Sequence, residues 1–206
     1  MIKLSTAYFP SIYWMALAYQ NEEIQIDLLE TYPKQTYRNR CHIATANGMM
    51  TLSAAVKKPS GNRSKTSEIV LDYTQNWPLI HWRSIQAAYQ SSAFFLYYQD
   101  EIEALFATTY TSLSEMNETI LLSLSQLIGF SPKIVYAEEF ISPNVQEQDY
   151  RFAIHPKTEA PIQFPSYHQV FEDKTAFLPN MSALDLLFNM GPESISYLDD
   201  LVLPTQ

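Results

Sequence analysis

The first twenty-nine residues constrain this chain more than any other stretch of it. Residues 3–8 read as a strand that ends before Pro10, and residues 12–19 as a short apolar helix with Ser11 at its N-cap. Residues 23–29 alternate, with Ile24, Ile26 and Leu28 on one face, which is the period of a second strand. A strand, a helix and a strand in so few residues predict a parallel pair joined by a right-handed crossover. The loop at residues 8–11 then lies at the carboxyl end of the first strand, the edge at which open α/β sheets bind ligands.

Further along, Asn47-Gly48 joins residues 36–46 to residues 49–56 as a β-hairpin, with Met50, Leu52, Ala54 and Val56 expected on its buried face. Residues 57–67 form a polar loop carrying four cations and Gly61, expected to act as a mobile flap. Ile69, Leu71 and Tyr73 mark another strand. Helices are expected from Pro78 to about Tyr89, over residues 92–106, and over residues 112–128. The last is the clearest, with a Ser112/Glu115 capping box, a stripe running from Leu113 to Ile128, and Gly129 as its stop. Residues 133–140 read as a strand. Residues 142–180 hold five prolines and no periodicity, the pattern of a wrapping arm or lid. A short helix near residues 182–190 stops at Gly191, and Pro192 opens another. The fold class is α+β: a mixed sheet with an N-terminal strand–helix–strand unit and a β-hairpin, packed by several helices, plus a Pro-rich C-terminal arm. Residues 1–206 are expected to form a single domain.

Composition narrows the function classes. At 206 residues and 47% apolar, the chain can bury a core without disulfides, and its one cysteine, Cys41, can form none within the chain. A reducing, cytoplasmic setting is expected, since Ser5, Thr6, Pro10 and Ser11 interrupt what would otherwise resemble a leader before Ala16-Leu17-Ala18. No apolar run approaches the ~20 residues that span a bilayer. A net charge of -9 argues against nucleic acid as a partner. Yet residues 34–83 hold eight cations against only Glu68 and Asp72, a basic island that could focus a small anion. Four glycines allow neither a dinucleotide fingerprint nor a P-loop, and no Gly-x-Ser-x-Gly elbow occurs. The four histidines show no helical metal-ligand pair, so no metal is implied, and no cofactor is specified.

Candidate site residues follow from two motifs. In an extended Lys34-Gln35-Thr36-Tyr37-Arg38-Asn39-Arg40-Cys41, the side chains of Lys34, Arg38 and Arg40 project to one side, and two guanidinium groups spaced i, i+2 could grip one phosphate or carboxylate. An edge strand whose charges block aggregation is the competing reading. In Trp77-Pro78-Leu79-Ile80-His81-Trp82-Arg83, a helix start favours an anion, Arg83 is a candidate ligand and His81 a candidate general base. A core-facing, hydrogen-bonded His81 and a structural Trp82 are the alternatives. Arg38, Arg40 and Arg83 are expected to converge on one pocket. Cys41 reads as a buried packer more readily than as a nucleophile, and Asp185 as either a helix cap or a catalytic carboxylate.

These motifs carry a resemblance. Tyr8-Phe9-Pro10, the stretch from Lys34 to Cys41 and the stretch from His81 to Tyr89 resemble the WbqC-like family of bacterial proteins. So do Asp149-Tyr150-Arg151, His155-Pro156-Lys157, Tyr167-His168-Gln169 and the stretch from Asn180 to Asn189. Many relatives begin with Gln-Pro where this chain has Thr6-Ala7. Members of that family often belong to gene clusters for surface polysaccharide, including O-antigen. The resemblance therefore implies an enzyme that transfers an acyl or aminoacyl group, glycyl in one suggestion, to an amino-sugar nucleotide or similar anionic substrate. In that reading His81 and Asp185 are catalytic, and Lys34, Gln35, Arg38, Asn39, Arg40, Trp82, Arg83 and Tyr8 bind substrate. The alternative is a non-catalytic module that binds a glycan precursor or an assembly enzyme.

Overall fold

The computed structural model describes residues 1–143 and 148–204. Its N-terminal unit is the expected crossover: β1 (Ile2–Leu4), α1 (Ile12–Gln20) and β2 (Ile24–Ile26), with β1 and β2 parallel in the register Ile2 to Ile24. The first strand is shorter than predicted, because residues 5–10 leave the sheet and run buried beneath the rest of the chain. Seven consecutive residues of α1, Ile12 to Ala18, are buried, so this helix has no wet face. It packs against the C-terminal helices introduced below.

The hairpin pairs β3 (Arg40–Thr45) with β4 (Gly48–Ser53). Its register matches Thr45 to Gly48, so Ala46 and Asn47 form the tip. Gly48 follows at φ 95, a left-handed position that glycine adopts without strain. Leu52 and the following Ala54 are buried, while Met50 is exposed. The strand predicted from residue 36 begins only at Arg40. Residues 36–39 form a turn instead, with Asn39 N donating to Thr36 O and Arg38 N to Thr36 Oγ1, and Gln35 is at φ 60.

Two short strands, β5 (Val56–Lys57) and β6 (Val70–Leu71), pair antiparallel and bracket the polar loop. That loop is less free than a flap. Tyr32 N donates to Ser64 O, Thr66 N to Glu30 O and Ser67 N to Leu28 O, which ties its second half to residues 28–32.

Three helices follow: α2 (Trp77–Tyr89), α3 (Phe95–Ala107) and α4 (Leu113–Ile128). The capping box of α4 forms as read: Glu115 N donates to Ser112 Oγ at 3.2 Å, and Ser112 N donates to Glu115 Oε2. Leu113, Met116, Ile120, Leu124 and Ile128 are buried along its stripe, each worth roughly 1.5–3 kcal/mol of apolar burial, and Gly129 ends the helix at φ 108. Next, β7 (Ile134–Tyr136) adds to β2 in parallel, completing the sheet order β1–β2–β7.

The Pro-rich stretch is irregular apart from α5 (Glu172–Thr175), and residues 144–147 of it lie outside the described residues. It touches the edge of β1, where Tyr150 N donates to Lys3 O. The chain closes with α6 (Ala183–Met190) and α7 (Ser194–Asp200). One continuous apolar core runs from Ile2 to Leu201 and draws on every large element. Among the described residues, no helix is long and apolar enough to cross a membrane.

Candidate functional site

Arg38 and Arg40 sit two residues apart and have opposite fates. The Arg38 side chain is 1% exposed. Its Nε and Nη2 donate to Glu30 Oε1 at 2.7 and 2.6 Å, and Nη2 also reaches Arg151 O. Burial pushes the Glu30 carboxyl up and the Arg38 guanidinium pulls it back. Arg151 is equally sealed, pairing with Asp27 Oδ2 at 2.7 Å and Asp149 Oδ2 at 2.6 Å. Asp27, directly after β2, also accepts from Leu29 N, Glu30 N and Ile141 N. These charges pin the end of β2, the turn before β3 and the 149–151 segment to one another. Arg38 therefore holds the fold together, with Nε and Nη2 both committed to internal partners.

Arg40 is half-buried at the start of β3. Its side chain makes no hydrogen bond and no ion pair among the described residues, and its Nε is shut off from solvent without a partner. An unmet buried donor costs about 1–3 kcal/mol, and more when it is charged. His42 lies two positions on and so projects from the same strand face. Tyr37 Oη lies 3.4 Å from His42 Nδ1, and that contact leaves Nε2 as the ring atom open to a ligand. Burial lowers the His42 pKa and the Arg40 charge lowers it further, so the imidazole is neutral and a proton acceptor at pH 7. His155 is lowered in the same direction by burial, then by Lys157, Arg38 and Arg40.

His42 and Tyr37 form one wall of an open cleft of about 510 Å3. The opposite wall comes from the Pro-rich stretch, with Pro156, Lys157, Glu159 and Phe164, and Asn180 and Met181 complete it. Asn180 also accepts from Tyr13 N, while Ile12 N donates to Met181 O and Ser11 Oγ caps Trp14 N. The first amides of α1 are thus met by the chain itself. The loop after β1, expected to receive a ligand, is closed by residues 180–182.

The other predicted site residues lie elsewhere. Arg83 is exposed beside Thr45 and Met50, at the far end of β3 from Arg40, roughly 17 Å away at ~3.3 Å per residue. The three arginines do not converge on one pocket: one is consumed internally and two stand at opposite ends of a strand. Lys34 and Gln35 are exposed, and Asn39 Nδ2 donates to Ala54 O at the base of the hairpin. Trp82 is 4% exposed and stacked between Phe95 and Phe106. Tyr8 is 1% exposed, and its hydroxyl lies 2.9 Å from His81 Nδ1. His81 is itself 5% exposed, tilted against Trp77, with its pKa lowered to about 4 by burial. The cavity beside Tyr8 and Trp77 measures about 10 Å3, room for a water and not for a substrate.

Asp185, expected as a cap or a catalytic carboxylate, is fully buried and does a third thing. Its Oδ2 accepts from Tyr167 Oη and from Gln169 Nε2 at 2.7 Å. Gln169 in turn bridges Leu178 through both its amide atoms. Asp185 anchors the Pro-rich stretch to α6. Cys41 is fully buried and its thiol is pushed up by burial, which makes it a poor nucleophile.

Sequence reasoning passed over His42, Tyr37, Lys157 and Asn180 as site residues. The i, i+2 spacing of Arg40 and His42 on a strand was the available signal; the facing wall lies more than a hundred residues away, and Lys157 and Asn180 stand out in the chain only as parts of the motifs that carry the family resemblance.

A Mycobacterium tuberculosis (strain ATCC 25618 / H37Rv) protein called uncharacterized protein Rv1507c is 23% identical over 212 residues, covering 90% of this chain and 91% of its own length. No solved structure matches the chain. The profile of the WbqC-like protein family matches residues 6–161, a span that takes in Arg40, His42, the ion-pair network and the 156–159 wall of the cleft. The chain belongs to the WbqC-like protein family.

Proposed function

We propose that the cleft between the hairpin and the Pro-rich stretch is the working site of an enzyme of bacterial surface-glycan assembly. It holds an anionic amino-sugar derivative and transfers an acyl or aminoacyl group to the amine. The observation that carries this reading is His42: a neutral imidazole in the wall of a cleft of substrate size, two residues along β3 from Arg40, a half-buried guanidinium with no hydrogen-bond or ion-pair partner among the described residues. Arg40 and Lys157 take the anionic group. The amine nitrogen attacks the carbonyl carbon of an activated donor such as a thioester. The carbon–nitrogen bond forms, the carbon–sulfur bond breaks, the thiolate leaves with the electron pair, and the ammonium proton passes to His42 Nε2.

The test pairs binding with turnover on a panel of phosphorylated amino sugars and a thioester donor. His42→Gln is expected to cut transfer by ~10²–10⁴-fold, the usual weight of a general base, and to leave ligand affinity within a few-fold. Binding without product in the wild-type protein would instead make the cleft a recognition module, and unaltered transfer in His42→Gln would remove His42 from the chemistry.

A further inference from the structure

A separate cleft of about 300 Å3 lies between the start of α2 and the end of α3, and it shares no lining residue with the cleft at His42. Tyr73, Leu79, Trp82 and Phe106 supply its apolar walls. Tyr73 is 38% exposed and yet fixed in place. Its ring stacks on Trp77 with 5.7 Å between centroids and 19° between planes. Its hydroxyl donates to Tyr110 O and accepts from Tyr110 N, both at 3.1 Å. Trp77 is tied down in turn, Nε1 donating to Asp72 O at 3.0 Å. An exposed ring so ordered presents a rigid π face, and a ligand laid on it meets little ordering cost.

Among the described residues, Glu103 is the one charged group in the lining, and its carboxylate makes no ion pair or hydrogen bond there. The rest of α3 adds to the same sign. It carries Asp100, Glu101 and Glu103 with no Lys or Arg, and its last residue, Ala107, brings the negative end of the helix dipole to the cleft. The positive end of α2 is largely spent. Trp77 N donates to Gln75 O, Pro78 has no N–H, and Ile80 N donates to Asn76 O. A ring face and a carboxylate both attract positive charge and repel negative charge. A primary ammonium brings three N–H donors that each need an acceptor. An alkylated ammonium has no such need in full methylation, and its methyl groups suit Leu79, Trp82 and Phe106.

We propose that this cleft binds a quaternary ammonium ion, its positive centre over the Tyr73 ring and against the Glu103 carboxylate. A volume of about 300 Å3 stands at the small end of ligand pockets and suits a head group of choline's size. The site is independent of the chemistry assigned to the His42 cleft, and neither reading depends on the other.

Titration calorimetry at fixed ionic strength tests it, with choline as the probe. The control is the uncharged alcohol of the same shape, which carries a tert-butyl group in place of the trimethylammonium. The wild-type protein is expected to bind choline at least about tenfold more tightly than the alcohol, the weight of a partly desolvated cation–π contact with its counter-charge. Glu103→Gln, at an exposed position, should erase most of that preference and leave the thermal midpoint unchanged. Tyr73→Leu should weaken choline binding about tenfold, while Tyr73→Phe, which keeps the ring, should stay within a few-fold of wild type. No choline binding, equal affinity for choline and the alcohol, or a choline preference that survives either Glu103→Gln or Tyr73→Leu overturns the assignment.

Discussion

Replacing Arg38 and Arg40 by methionine, one at a time, separates a folding arginine from a binding one. Met keeps the length and apolar stem of Arg and deletes its charge. At position 38 the change strands Glu30, whose side chain is 2% exposed and whose Oε1 loses both guanidinium donors; Arg151 O loses one as well. Breaking a buried pair from one side costs about 3–5 kcal/mol. At position 40 the change deletes a donor that has no partner, with Nε sealed from water. Removing such a group returns up to about 1–3 kcal/mol of desolvation cost. Urea unfolding of the two variants should place Arg38→Met well below wild type in midpoint and Arg40→Met level with it or above, at unchanged slope. Phosphate affinity should vanish in Arg40→Met. If Arg40→Met were the more damaging of the two to stability, Arg40 would have a structural partner and the anion-site argument would fail.

Two further outcomes follow from buried groups. The folded-state pKa of His81 is lowered from the ordinary 6.5 to about 4, so between these values the unfolded chain binds the extra proton. Stability is full above pH 6.5 and falls as pH drops towards 4, by ~3 kcal/mol from this group; urea midpoints for His81→Gln should show a shallower fall than wild type across pH 6.5–5, and parallel curves would show that His81 titrates normally. Gly191 sits at φ 54 with an added Cβ placed 2.4 Å from the Phe94 ring, so Gly191→Ala should lower stability by about 1–3 kcal/mol in thermal unfolding, and an unchanged midpoint would contradict that packing.

Local signals along the chain specify the elements that depend on local physics. The crossover of β1, α1 and β2, the capping box of α4 and the stop at Gly129 all rest on residues within a few positions of one another, and all formed. The hairpin was legible and its tip shifted by one, because Gly48 supplies the left-handed residue after the turn and not within it. The candidate site was legible only in part. Arg38 and Arg40 look alike in the chain; what distinguishes them is Glu30, eight residues earlier, which folds back on one of them. Likewise Asp185 stands where a helix cap would, but Tyr167 and Gln169 arrive from the Pro-rich stretch and claim it. Much of the motif content that carries the family resemblance serves such long-range anchoring: Asp149 and Arg151 in the ion-pair network, Tyr167, Gln169 and Asp185 in the arm anchor, Asn180 at the start of α1. Pairings of that kind leave no periodicity to read.

In the proposed function His42, with Arg40 two residues before it, faces the ligand, while His81 is enclosed with Tyr8. Imidazole NMR of the four histidines during titration with inorganic phosphate tests this directly, because each ring reports on its own surroundings. The His42 resonances should shift saturably and the His42 pKa should rise as the bound anion offsets the Arg40 charge, while the His81 resonances stay where they were. A saturable shift at His81 with His42 unmoved would put the site at the start of α2 and contradict the account.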